Sequence, residues 1–599
     1  MTYRAPVDDI MFALKTAVGL DDLIERGIYD DLDRDTVEAV IEEAGKFGSD
    51  VLEPLNWPGD QAGAKRLEDG RVITPDGWQE AYKQFSDGGW AALPGPAEYG
   101  GQGLPETVSM AASEIWNATN MAFGLCPLLT QGAVDALRIG GSDELKDKFL
   151  PKMISGEWTG TMNLTEPHAG SDLGVLKTRA ERADDDTYRI FGTKIYITYG
   201  EHELTENIIH LVLARLPDAP SGTRGISLFL VPKVLVEDDG SLGARNDVTC
   251  AGIEHKIGIH ASPTCTMKYG EGDGAIGYLV GEENRGLATM FIMMNAARLT
   301  VGVQGVAIAD RATQRAVAYA NERTQGKAAA IPPDAKSGMS PIVAHPDVRR
   351  TLLTMQAMTQ AARAICLVTA REMDVSHRSK DETERAQAAG RAALLTPIAK
   401  AFSTDIGCEV ASMGVQMHGG MGFVEETGAA QYYRDARILP IYEGTNGIQA
   451  IDLAVRKLPL DNGQIVSAYL DEFAETAEEV RASNRPEFGM MGQRLADGVA
   501  ALKEATGWMG EQLGANPDQA LATATPYLRL FGLVAGGTYL ARGALAAARD
   551  GSIANGHAKH VSWARLFAET ELPMAPGMAA AITTSADSIL DVPLERLSA

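Results

Sequence analysis

Ile441-Tyr442-Glu443-Gly444-Thr445-Asn446-Gly447-Ile448-Gln449 places one carboxylate in a short Gly- and Thr-rich turn between two apolar helical runs. Just upstream, Gln416-Met417-His418-Gly419-Gly420-Met421-Gly422-Phe423 carries too many glycines for ordinary helix and reads as a bend. A carboxylate on a turn, with backbone N–H groups able to face a ligand, suits general-base chemistry beside a carbonyl. The same residues also describe a plain helix start with Glu443 near its positive end. The stretch alone leaves both readings open.

Working outward, long helical runs precede the turn. Leu287 to Arg323 carries Gly302 and Gly305 as small packing positions, and Asp347 to His377 and Glu384 to Gln416 follow. Helices of this length predict an antiparallel bundle. Past about Leu458 come further helical runs, Gly463 to Ser483, Gly489 to Leu513, Pro526 to Arg549 and His557 to Glu571. Residues 1 to about 158 also read as helices. Asp33-Arg34-Asp35-Thr36 opens one that carries Val40, Ile41, Ala44 and Phe47; others span about Gly77 to Phe85 and Thr107 to Thr119.

Between these helical regions the pattern changes near Thr159. Tyr188 to Thr198 reads as strand, with Gly192 placed to bulge or turn it. Ile208 to Leu213, Ile226 to Val231, Thr264 to Tyr269 and Ala275 to Val280 are further short apolar runs. Strands without intervening helices predict a small β-barrel or sandwich, and no strand leads into Gly-x-Gly-x-x-Gly, which argues against a Rossmann domain. The fold class expected is α+β, mostly α. It has a helical N-terminal domain (1–158), a central β domain (159–283), a four-helix bundle (284–458) and an additional C-terminal helical domain (459–599).

The bulk properties narrow the function. Lys+Arg 54 against Asp+Glu 80 gives a net charge of −26, which argues against nucleic-acid or anionic-membrane binding. Cys126, Cys250, Cys265, Cys366 and Cys408 are scattered with no Cys-x-x-Cys pair, so neither a disulfide framework nor a metal site is expected. The start has acids and no apolar core of signal-peptide type. No window reaches the ~18 uncharged apolar residues of a membrane span; the nearest, Leu530 to Ala541, lies between Arg529 and Arg542. A cytoplasmic protein is expected.

The α–β–α order, with four motifs in sequence, resembles the acyl-CoA dehydrogenase family of flavoproteins. Leu164-Thr165-Glu166-Pro167-His168-Ala169-Gly170-Ser171-Asp172 resembles the family's flavin and substrate loop. Lys194-Ile195-Tyr196-Ile197-Thr198 is similar to its strand that stacks an aromatic near the flavin, with Tyr196 where Trp is usual. Gln416 to Gly422 resembles its adenosine-pyrophosphate turn, and Tyr442-Glu443-Gly444-Thr445 its catalytic signature.

The resemblance implies FAD as cofactor and an acyl-CoA as substrate. It implies that Met162, Leu164, Thr165, Gly170, Ser171, Tyr196 and Thr198 serve the flavin end, with Ser171 also reaching CoA. Gln416, Gly419, Gly420, Thr445 and Asn446 would serve the rest of the cofactor. Arg323, in a turn one residue shorter than the family's and lacking its Phe, would reach a pyrophosphate across a homodimer. Asn295, which replaces an acid, Arg298 and Gly444 would bind substrate. Glu443 would take the α-proton, its own N–H helping to hold the thioester carbonyl, while the β-hydrogen leaves as hydride. His418 is the rival base; a His there more often hydrogen-bonds a backbone carbonyl. An electron-transfer flavoprotein is the implied acceptor.

The residues after about Leu458, the shortened Arg323 turn and Gln449-Ala450 in place of Gln-Arg resemble the family's long bacterial branch. Its implied substrate is 3-methylmercaptopropionyl-CoA, a short thioether from dimethylsulfoniopropionate breakdown, oxidised to methylthioacryloyl-CoA. A general short- or medium-chain acyl-CoA dehydrogenase is the alternative. An acyl-CoA oxidase would differ in reoxidation by oxygen, and a DNA-damage-response relative would need a basic C-terminal face that this chain lacks.

Overall fold

The computed structural model describes residues 3–30, 32–185, 187–331, 333, 338–551 and 556–597. They pack as two compact units that the linear order does not announce. One is Lys46–Pro105 with Thr119–Ala297, and the other is Met1–Gly45, Glu106–Ala118 and Arg298–Ala599. Region 1–158 is therefore shared between them. The division falls at a break in the long helix Glu106–Gly140, where Asn120 leaves helical geometry at φ −158° and ψ 88°. Its Oδ1 accepts from Phe123 N at 3.1 Å, the i to i+3 pattern of a helix N-cap, so the second half starts afresh there.

The first unit holds an eight-stranded sheet. The strands expected from sequence are found as Tyr188–Thr198, Asn207–Arg215, Ile226–Pro232, Thr264–Tyr269 and Ala275–Leu279. Trp158–Asn163, Arg179–Arg182 and Val248–Ile253 complete it. Trp158–Asn163 is buried along its whole length and pairs parallel to Asn207–Arg215. A strand covered on both faces has no period-two alternation, which is why its sequence did not announce it. Ile190, Ile197, Val212, Phe229, Met267 and Tyr269 fill the core against the sheet, and each such side chain stabilises by roughly 1.5–3 kcal/mol.

The bulge expected at Gly192 lies elsewhere. Gly192 pairs in register with Tyr269, and its lack of a side chain answers a close approach, since a Cβ there would meet Thr178 at 2.4 Å. The extra residue falls between Lys194 and Ile197, which face Met267 and Cys265. Tyr196 sits in that bulge at φ +60°.

The second unit is helical. Gly286–Glu322 enters it from Arg298 onward and packs with Pro346–Arg378 and Glu382–His418. Gly302 and Gly305 let backbones meet: a Cβ would lie 2.7 Å from Ala399 O and 2.3 Å from Ser403 O. Glu382–His418 runs to His418, so Gln416 is helical and the glycine bend begins at Gly419.

The C-terminal region is built into the same unit. Its central helix starts at Pro517, nine residues before the expected Pro526, and accommodates Pro526 internally. Gly532 lies against Phe402 and Gly536 against Ala361, seating this helix on the bundle. Asp9 of the N-terminal segment reaches His560 at 2.9 Å and Lys559 at 2.6 Å. Among the described residues two helices, Gly286–Glu322 and Pro517–Arg549, are long and apolar enough to cross a membrane when up to two charged residues are admitted, a looser test than the uncharged window the sequence lacks. Buried shares of 72% and 83% of their apolar windows account for that hydropathy as packing inside the protein.

Candidate active site

The flavin-loop residues belong to the β-containing unit. After Met162, buried on its strand, Leu164 O accepts from Lys194 Nζ at 2.9 Å and Thr165 O accepts from Ile195 N at 2.9 Å. Reciprocal backbone bonds between Glu166 and Ala169 then close a tight turn. Gly170 and Ser171 are exposed beyond it. Thr198 pairs with Thr264, and its carbonyl accepts from the buried Thr161 hydroxyl at 2.7 Å. Tyr196 is 60% exposed, unusual for a large aromatic in a strand, because the bulge turns it out of the sheet.

The anchor of this loop is a pair that the sequence reading passed over. Glu166 is 4% exposed and bonds to the fully buried Lys194 at 2.9 Å. It also accepts from Lys177 N at 2.7 Å and Thr178 N at 3.0 Å. Burial pushes the Glu166 carboxyl up, but the Lys194 charge and these donors outweigh it and hold it at about 2. The available signal was Lys194 itself, a lysine at an inward position of the strand bearing Ile190. Because the folded value lies below the ordinary 4.5, this stabilisation is complete above that pH and is lost as pH falls through about 2. Pepsin cleavage within residues 164–178 is therefore expected to stay slow near pH 4 and to accelerate as pH falls toward about 2. Glu166→Gln should be cleaved readily throughout; equal protection of both proteins would exclude the anchor.

The Glu443 turn belongs to the helical unit, between helices Ala429–Ala436 and Asn446–Asp452. Thr445 caps the second helix, its Oγ1 accepting from Ile448 N at 3.2 Å. Glu443 stands two residues before the cap in the left-handed region at φ +55°, followed by Gly444 at φ +82°. A left-handed non-glycine costs energy that a plain helix start does not need. The surroundings hold it there. The buried Gln449 donates from Nε2 to the carbonyls of both Glu443 and Gly444 at 3.2 Å. Tyr442 Oη donates to Gln304 Oε1, and Gln304 Nε2 donates to Asn117 Oδ1 at 2.9 Å. Among the described residues, no backbone or side-chain acceptor takes up the Glu443 N–H.

Two cations face this carboxyl. Arg298 is 4% exposed and paired with Asp452 at 3.4 Å, and Lys400 is fully buried. Burial raises the Glu443 pKa to about 7, with Arg298 and Lys400 pulling against it. That value suits a base near neutral pH. Arg298 thus acts on the Glu443 carboxyl from a buried position paired with Asp452, where the resemblance implies a CoA contact. Asn295, on the same helix, is exposed and falls in the other unit.

Asn446 also departs from its implied cofactor role. Its Oδ1 accepts from Lys400 Nζ at 2.8 Å, and its Nδ2 donates to Asp405 Oδ1 at 2.7 Å and Ala401 O at 3.2 Å. Thr404 Oγ1 lies 3.0 Å from its Nδ2. The amide is consumed inside the fold. His418 is buried with Nδ1 against Gly414 O at 2.7 Å, and burial lowers its pKa. That geometry is the packing role, away from base chemistry. Gln416, Gly419 and Gly420 line an exposed turn, with Gly419 at φ +59° and ψ −140°, a conformation suited to glycine. Arg323 is exposed, just past the end of its helix.

Within the β-containing unit an outward aromatic stands on the strand after a loop with exposed hydroxyl and peptide groups, and within the helical unit a strained carboxylate turn stands among cations. Family models identify the chain. The chain matches "Acyl-CoA dehydrogenase, N-terminal domain" over residues 35–157, "middle domain" over 161–270 and "C-terminal domain" over 284–458, and "Acetyl-CoA dehydrogenase C-terminal like" over 469–593. The chain belongs to the acyl-CoA dehydrogenase family, and it is an FAD-dependent oxidoreductase.

Among its relatives, 3-methylmercaptopropionyl-CoA dehydrogenase of Ruegeria pomeroyi is 48% identical over 99% of this chain and 100% of its own. A butyryl-CoA dehydrogenase of Syntrophomonas wolfei is 33% identical over 99% of each chain. The crystal structure of Caenorhabditis elegans ACDH-11 in complex with C11-CoA shares the fold, with a TM-score of 0.77 at 20% identity over 98% of this chain and 96% of that one. Acyl-CoA dehydrogenase complexed with FAD from Bacillus anthracis does so at 0.74 and 21% identity, over 94% and 90%.

Proposed function

We propose that this chain oxidises 3-methylmercaptopropionyl-CoA to methylthioacryloyl-CoA. The observation that carries the reaction type is Glu443, a carboxyl with a pKa near 7 held on a strained turn whose own N–H is open. The observation that favours this substrate is end-to-end likeness to the Ruegeria pomeroyi enzyme, C-terminal region included. Glu443 as carboxylate removes the α-proton, which then resides on its Oε. Its backbone N–H donates to the thioester oxygen as negative charge grows there. Bound FAD supplies the acceptor for the β-hydrogen as hydride. Tyr196, Thr165 and Ser171 would hold its ring, and Gln416, Gly419 and Gly420 its adenosine end. Electrons pass on to an electron-transfer flavoprotein.

The same reading includes a cytoplasmic homodimer with Arg323 serving the cofactor's pyrophosphate. Five free thiols and an exposed arginine at a helix end support it. A second reading, a general short- or medium-chain acyl-CoA dehydrogenase, is favoured by likeness to the Syntrophomonas wolfei enzyme. Anaerobic reduction of the holoenzyme separates them. 3-Methylmercaptopropionyl-CoA is expected to bleach the flavin at least as efficiently as butanoyl-CoA, judged by kcat/KM. A clear preference for butanoyl-CoA, or for chains of about eight carbons, excludes the first reading and establishes the second.

A further inference from the structure

Lys400 is a side chain the reaction as written does not use, and its position is costly. It lies mid-helix in Glu382–His418 with no exposed surface, and an unpaired buried ammonium is expensive enough that proteins rarely keep one without a purpose. Burial pulls its pKa down, while Glu443 and then Asp405 pull it back up.

Its direct hydrogen bond is to Asn446 Oδ1, 2.8 Å away. Asn446 opens the helix that follows the Glu443 turn, and its amide also binds Asp405, Ala401 and Thr404 on the helix bearing Lys400. One helix face thus clamps the residue three places after the base. Gly302 and Gly305 bring the helix bearing Arg298 against this same helix, and both Arg298 and Lys400 act on the Glu443 carboxyl. The charged groups facing Glu443 are therefore Arg298, itself tied to Asp452, and Lys400. Those facing Lys400 are Glu443, Asp405, Arg298 and the Cys408 thiol.

We propose that Lys400 is a positioning residue for the dehydrogenation: through Asn446 it fixes the turn that carries Glu443, and its ammonium partners the Glu443 carboxylate until the α-proton is taken. Arg298, tied to Asp452, pulls on the same carboxyl more strongly, and Lys400 adds the second attraction from the helix that holds Asn446. The proposal rests on Glu443 being that base.

The test uses holoenzyme and whichever acyl-CoA bleaches the wild-type flavin. Flavin reduction is followed anaerobically across pH for wild type, Lys400→Met and Lys400→Gln. Both variants remove the charge; Gln keeps a donor toward Asn446 and guards against a folding failure of Met. The acid limb of the rate profile is expected to move up by about one pH unit, the low end for losing an adjacent opposite charge. The rate should then fall about tenfold near pH 6 and approach wild type near pH 9. Infrared titration of the resting holoenzyme, taken as a difference against Glu443→Gln, should show the Glu443 carboxyl ionising at correspondingly higher pH.

An equal loss at every pH, or an unmoved limb and carboxyl, would overturn the proposal and leave Lys400 a packing residue. Should Glu443→Gln itself bleach at the wild-type rate, the fault lies with the base assignment, and the two failures are distinguishable.

Discussion

Glu443→Gln is expected to stay yellow, to bind acyl-CoA with near-normal affinity and to lose flavin reduction by about 10²–10⁴-fold. Gln keeps the volume and the backbone turn, so Gln449 can still hold the carbonyls of residues 443 and 444. What goes is the oxygen that accepts the proton. The pH dependence has a definite sign. Burial sets Glu443 at about 7, so wild-type rates should rise as pH climbs through that value and the carboxylate forms. The variant should show no such rise. His418→Ala serves as the contrast: with Nδ1 committed to Gly414 O, it should reduce with an unchanged acid limb. Near wild-type bleaching by Glu443→Gln would remove the mechanism altogether.

Arg363→Met is expected to cost about 3–5 kcal/mol in chemical denaturation, without touching the base turn. Arg363 is wholly buried. It binds Glu114 through Nε at 3.0 Å to both carboxylate oxygens and through Nη2 at 2.6 Å, and it reaches Asp310 at 3.3 Å. Removing it takes from Glu114, 2% exposed, the guanidinium that pairs with it in low dielectric. Burial and the neighbouring acid already hold Asp310 up at about 6, so it can neutralise itself cheaply. The double change Arg363→Met with Glu114→Leu should recover much of the loss, because apolar side chains replace a buried ion pair at little net cost. A single variant as stable as wild type would mean that water reaches the site.

Part of this molecule follows from local sequence alone. Long apolar periodicity marked the helices Gly286–Glu322, Pro346–Arg378 and Glu382–His418 to within two residues at each end. Alternation and β-branched runs marked Tyr188–Thr198 and Thr264–Tyr269. The helices were legible from the length of their apolar runs, since residues 297–313, 357–370 and 394–404 are buried on every face, and the strands from their partial alternation. Local pattern failed for Trp158–Asn163, buried on both faces, and for the start of Pro517–Arg549, where an internal proline looked like a boundary. The Tyr442-Glu443-Gly444-Thr445 signature located the carboxylate without any coordinates.

What tunes that carboxylate is not local. The left-handed φ of Glu443 is maintained by Gln449 and Tyr442 through Gln304 and Asn117, residues from three separate helices. Its raised pKa comes from burial, and the cations that temper it lie 145 and 43 positions upstream, at Arg298 and Lys400. The resemblance implies a cofactor role for Asn446, and only packing shows that its amide is hydrogen-bonded to Lys400 and Asp405. Glu166 and Lys194 likewise looked like loop and strand residues until burial forced them together. Local pattern reports which face of an element meets water. Desolvation and charge pairing depend on which distant elements fill that face, and that is decided only when the chain has folded.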